Sequence, residues 1–202
     1  MFFLRWIPTF LAFPLAGLLA TLVAGPSRSP LTALAVGAIV GAVVGGAQWL
    51  ALGRLVDWRW AVGTLGAVAV SSAISMFVVG PPVTTVAGMV TGLITGVAVG
   101  AAQAPVLRRG WRIGLVWTAT VGVSWAAAWG ITSVVIVDLD RGHAVFGSSG
   151  ALVATIVTGV VLRLILAPRL RRVPRDPSET TPAMDAAASV IAATTATTRK
   201  DR

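Results

Sequence analysis

The chain has 202 residues, 56% of them hydrophobic and only 11% charged, with a formal net charge of +9 and no cysteine, whereas an average soluble domain is about 25% charged. So few charges cannot cover a water-facing domain, so the composition excludes an ordinary soluble globule and points to a chain that faces lipid. Lack of cysteine excludes disulfides and thiolate chemistry, and one histidine with seven acidic residues leaves little for metal sites or acid–base catalysis.

Uncharged runs cover 6–27, 29–53, 60–107, 113–137 and 142–162. A helix needs about 20 apolar residues to cross a hydrocarbon core about 30 Å thick, so four of these runs hold one crossing each. Gly80-Pro81-Pro82 cannot continue a helix and divides the 60–107 run into two crossings. The predicted spans are 7–24, 31–53, 58–79, 83–107, 111–137 and 144–166, an all-α integral membrane bundle occupying 1–166. The runs are apolar on every face, without the alternation of barrel strands. Arg5 followed by an apolar stretch also fits a signal peptide. That stretch outruns a usual signal core and ends in no A-x-A site, so the first span is read as uncleaved.

Arginine placement orients the bundle, because basic residues near helix ends are held on the cytoplasmic side. One side receives Arg5, Arg54, Arg59, Arg108, Arg109, Arg112, Arg163 and all later basic residues, fourteen altogether; the other receives Arg28 and Arg141. Both termini are therefore expected in the cytoplasm. Arg54, Arg59, Arg108, Arg109, Arg112, Arg169, Arg171 and Arg172 are placed to attract anionic headgroups. No aromatic-interleaved basic face is present, so nucleic acid is not an expected partner.

The spans repeat. At an offset of 55, Gln48 meets Gln103, and Gly37, Gly41, Gly45 and Arg54 meet Gly92, Gly96, Gly100 and Arg109; at 53, Trp58-Arg59 meets Trp111-Arg112. At an offset of 63 the sixth span follows the fourth, with Gly159 on Gly96 and Leu166 on Gln103. The first span enters through Arg5-Trp6 as the third does through Arg59-Trp60. Three hairpins of one orientation result, spans 6 and 1 forming the hairpin split by the chain ends, and repeats of equal orientation predict pseudo-threefold symmetry about the membrane normal. Gly37, Gly41 and Gly45, then Gly88, Gly92, Gly96 and Gly100, with Gly159 in the sixth span, form glycine-zipper stripes that let helix backbones approach.

The small-x3-small run through Gly41 and Gly45, then Gln48-Trp49-Leu50-Ala51-Leu52 and Arg54, with a second copy through Gln103 to Arg109, resembles a group of uncharacterised bacterial polytopic membrane proteins with repeated Gln-Trp-x-x-Leu-x-Arg hairpins. It covers about 33–130; the second copy lacks the tryptophan and the third the glutamine. It implies a multi-pass protein of the bacterial inner membrane, a setting that the bias toward Ala, Val, Gly and Arg also suggests, and brings no activity or cofactor.

None of the six cores contains Asp, Glu, His or Lys, which weighs against a proton relay, a cation-coupled transporter or a membrane hydrolase. Arg163 is expected to snorkel toward headgroups. Gln48 and Gln103 lie about one turn from their helix ends, where an amide either bonds a neighbouring backbone or lines a polar vestibule. Trp49, Trp58, Trp60 and Trp111 read as interfacial anchors, and Trp125 and Trp129, spaced i, i+4, as a packing or lipid-facing pair. Asp138, Asp140 and His143, in one loop, are the only cluster with metal-ligand spacing, and their ordinary reading is a hydrated loop. The 167–202 segment opens basic and continues Pro-, Ala- and Thr-rich, as a disordered cytoplasmic tail does.

These features point to a non-enzymatic membrane component, without cofactor, packing against lipid and a protein partner or a second copy; the alternative is a channel or facilitator for a small neutral or anionic solute. Glycine stripes meeting at the bundle axis would close it, and Ser, Thr and Gln pointing there would make a path. In a chain without cysteine, Ser27→Cys is expected to react with a membrane-impermeant maleimide on intact cells and Ser178→Cys only after lysis; the reverse pattern would invert the topology.

Overall fold

The structure, a computed structural model, describes residues 2–135 and 147–170, and no strand occurs among them. Helices α1 (Phe2–Trp6) and α2 (Ala12–Ala24) form one span through a 3-10 turn at Ile7–Leu11, followed by α3 (Pro30–Leu52), α4 (Arg59–Val78), α5 (Thr85–Leu107), α6 (Trp111–Val135) and α7 (Ser148–Leu170). Among the described residues, six helices are long and apolar enough to cross a membrane. The chain is thus compatible with a multi-pass membrane protein, all-α as its composition requires.

Local chemistry sets the helix ends. Ser29 Oγ accepts from the Thr32 amide and Thr32 Oγ1 from the Ser29 amide, a reciprocal cap that starts α3 with Pro30 at its first position. Asp57 Oδ1 accepts from the Arg59 amide at 2.9 Å as α4 begins. Thr84 is extended and its side chain accepts from the Ala87 amide, so α5 begins at Thr85 rather than at 83. Gly80, at φ +81, turns the chain before Pro81. Pro8 is accommodated in the 3-10 turn, and Phe2–Trp6 is already helical, so the first span begins before residue 7. α7 runs four residues beyond the expected 166. The loop with Asp138, Asp140 and His143, the start expected at 144 and the tail beyond Leu170 lie outside the described residues, as do the side chains of Arg169, Arg171 and Arg172.

Each span packs on its chain neighbours, and the last meets the first. α3 lies on α4 and α5 on α6 most extensively, α2 packs on α3 and α4 on α5. Gly150 of α7 faces the Ala128 carbonyl of α6, and Gly159 faces the indole of Trp6. Non-neighbouring spans touch inside this ring, as where the rings of Phe13 and Trp125 meet edge to face at 5.6 Å. Outward faces are apolar, with Leu22, Leu31, Phe77 and Val86 exposed.

The glycine stripes face along the ring, each toward its hairpin partner. Gly37, Gly41 and Gly45 lie against α4; Gly88, Gly92, Gly96 and Gly100 lie against α6. A methyl on Gly41 would stand 2.7 Å from the Leu65 Cα, and one on Gly100 2.6 Å from the Thr118 Cα. Backbone-to-backbone approach of this kind gains dispersion contact that bulkier residues forbid. Trp125 and Trp129 supply the α6 side of the contact with Gly88, Gly92 and Gly96, and both are buried. The pair therefore packs inside the protein rather than facing lipid.

Gly41→Ala is expected to destabilise the purified protein in detergent by about 1–3 kcal/mol through overpacking. Gly46→Ala, with open space around its Cβ, is expected to be neutral or slightly stabilising. Thermal melts compare them, and equal melting of Gly41→Ala and wild type would mean that α3 and α4 do not approach this closely.

Candidate functional site

Two polar constellations stand out against the apolar bundle. The first is internal. Gln48 and Gln103 continue the glycine stripes by one more turn, at Gly45 plus three and Gly100 plus three, so they share the face turned toward the next helix. Both are buried. The Gln48 Oε1 accepts from the Trp60 indole at 3.2 Å and from the Gln103 amide at 3.3 Å. Gln103 Nε2 also donates to Thr64 Oγ1 at 2.8 Å, and its Oε1 accepts from the Trp117 indole at 3.1 Å. Thr64 in turn donates to the Trp60 carbonyl, so the network spans α3, α4, α5 and α6. The Trp60 and Trp117 rings lie 5.9 Å apart.

Sequence reasoning found the two glutamines but gave them backbone partners, and the partners are side chains. Trp60, read as an interfacial anchor, is fully buried; Trp49, Trp58 and Trp111 are exposed. The repeat could not have found Trp117, because it aligns Trp60 with Ile113, one turn short of the residue that binds Gln103. Leu166, which lies 63 residues after Gln103 in the sequence, is buried, and the Trp6 indole donates to the Thr155 backbone carbonyl at 2.9 Å. Gly159 permits this, because a Cβ there would stand 2.5 Å from the Trp6 ring.

Between these groups lies a cavity of about 10 Å³, lined by Trp6, Gln48, Gln103, Trp117, Thr155 and Thr158 with apolar neighbours, room for about one water molecule. The glycines do not meet at the centre; polar groups do, with indoles filling the space between them. Among the hydroxyls of the spans, Thr118 and Thr120 bond carbonyls of their own helix, as does Ser71. The buried polar side chains among the described residues are Ser, Thr and Gln, none ionisable.

The second constellation is a basic rim at one end of the bundle. Arg5 Nη2 donates to the Leu50 carbonyl near the end of α3, and Arg108 pairs with Asp57 at 3.6 Å, joining the chain start to the turns after α3 and α5. Arg163 lies over the Phe3 ring at 5.1 Å and Arg112 over Trp111 at 5.4 Å. Arg54, Arg59 and Arg112 are exposed, whereas Arg109 is half buried. Asp57 is the only acidic residue among those described, and none of the described residues forms a cluster able to hold a metal. Comparison with known proteins finds no matching family model, curated protein or solved structure.

Gln103→Leu removes an acceptor from Trp117 and a donor from Gln48 and Thr64, and is expected to cost about 1–3 kcal/mol in a detergent melt. The Gln48→Leu/Gln103→Leu double variant is expected to cost less than the two single losses added together, since each single change strands a partner of the other. Strict additivity would mean that the two amides do not communicate.

Proposed function

We propose that the chain is a multi-pass inner-membrane protein without catalytic machinery, an accessory or scaffolding component that packs against a partner protein or a second copy and gathers anionic lipid at its cytoplasmic rim. It needs no cofactor. The observation that carries this reading is the closed, uncharged centre: indoles and amides satisfy one another where the spans converge, and no ionisable side chain among the described residues is buried with them. A general base, a proton relay or a cation site would require such a group. The basic rim supplies the lipid part, since each arginine near an anionic leaflet contributes about 1 kcal/mol of attraction. Three hairpins related about the membrane normal remain the proposed internal plan, in keeping with the resemblance to repeated-hairpin bacterial proteins.

The glycine stripes are occupied within the protein, so a partner would meet the outward apolar faces rather than the stripes. One observation favours a second reading, a channel for a small neutral or anionic solute: Gln48, Gln103, Thr155 and Thr158 all line the central cavity. Such a path requires the Trp60–Gln48 and Trp117–Gln103 bonds to open.

Gentle extraction with a C-terminal tag followed by native mass measurement separates the two. A stoichiometric second protein or homo-oligomer is the expected result, with solute flux in liposomes no faster than in empty ones. A lone monomer with flux above that background, raised further by Trp117→Ala, would replace the scaffold reading with the channel.

A further inference from the structure

The rim carries one arginine that differs from the rest. Arg109 Nε and Nη2 are withdrawn from water and have no hydrogen-bond partner among the described residues. Its repeat counterpart, Arg54, reaches into the open. The neighbouring charges do not relieve Arg109: Asp57 is engaged by Arg108, and Arg112 lies over Trp111. Nε and Nη2 are covered by the protein itself, so a phosphate would meet Arg109 through the part of this half-buried side chain that still faces the groove, where a cation without an acceptor favours an anion.

Arg109 lines a half-open groove of about 440 Å³ between α5 and α6. Arg108, Arg109 and Trp111 lie at its rim end, and Ala101, Ala104 and Leu115 are among its walls farther along the helices. The α6 N-terminus begins beside it, and the first amides of a helix have no partner within that helix and favour anions. Anion-binding groups at the level of the rim, above apolar walls that run into the span, describe a ligand with a charged head and an apolar tail.

We propose that this groove holds one anionic phospholipid per chain, its phosphate on Arg109 and a length of acyl chain along α5 and α6. The site rests on the membrane-embedded reading above and sharpens its lipid component, from diffuse attraction to one seat. Inorganic phosphate would satisfy Arg109 but leave the walls unused, so the diacyl lipid is the better fit.

The test is native mass measurement of the purified chain in neutral detergent micelles doped with phosphatidylglycerol or phosphatidylcholine. Wild type is expected to retain one phosphatidylglycerol at least tenfold more tightly than phosphatidylcholine. Arg109→Gln is expected to lose that preference at least tenfold, while Arg59→Gln, at an exposed rim position, loses no more than the roughly fivefold of one diffuse arginine and Arg28→Gln, exposed at the opposite end, stays within twofold. Ala101→Phe, which fills the groove from an exposed position, is expected to weaken retention with its melting temperature unchanged, and decides the matter if Arg109→Gln fails to fold. Equal losses from Arg59→Gln and Arg109→Gln would overturn the seat while leaving the general attraction of the rim intact. Binding of glycerol phosphate as tightly as the lipid would overturn the assignment to a phospholipid.

Discussion

Lipid tails are as apolar as leucine, so helices inside a bilayer gain nothing by hiding apolar faces from their surroundings. Only close approach and satisfied polar groups hold them together, and this protein meets both demands on the same stripes of helix. Along α3 the stripe reads Gly37, Gly41, Gly45 and then Gln48; along α5 it reads Gly92, Gly96, Gly100 and then Gln103. The glycines bring α4 and α6 to backbone contact, and that approach sets their indoles within reach of the glutamines. Side-chain hydrogen bonds between membrane helices average about 0.6 kcal/mol each, so the network contributes a few kcal/mol at most. Its larger effect is on register, since sliding a helix by one residue would strand several donors at once.

Much of this was legible in the sequence because charge is so scarce. The runs between arginines marked the spans, and the alternation of basic turns placed Arg5, Arg54, Arg59, Arg108, Arg109 and Arg112 on one side, where the contacts of Arg5 with Leu50 and of Arg108 with Asp57 bring the turns together. Caps were harder to read, because Thr84 is as compatible with a helix as with a cap until its backbone is seen to be extended. The indole partners were out of reach for a different reason. Whether a tryptophan near an arginine faces headgroups or the interior depends on the rotation of its helix, which neither composition nor offset fixes; Trp58 and Trp60 are two residues apart and face opposite surroundings.

The turns after α3 and α5 differ where they meet the rim. Gly53 ends α3 at φ +51, and its counterpart Arg108 ends α5 at φ +52, the only positive φ on a residue other than glycine among those described. A side chain in the left-handed region costs about 1–2 kcal/mol. At this turn that cost is partly offset by the pairing with Asp57, which also ties the turn after α5 to the turn after α3. The turn after α5 thus differs from the turn after α3 at Arg108, which stands where the other has Gly53, while Arg109 matches Arg54 in type.

Spans reach the membrane in chain order, and the bond from Trp6 to the Thr155 carbonyl joins the first to the last. When the first span enters, neither that carbonyl nor the space above Gly159 has yet been synthesised, so the indole of Trp6 waits without its native acceptor while five more spans are added. The α3–α4 and α5–α6 pairs depend only on neighbours and can assemble as they emerge. Ring closure is therefore the last event of assembly, and until α7 arrives the bundle stands open along one seam, through which lipid or another polypeptide has its widest access to the interior.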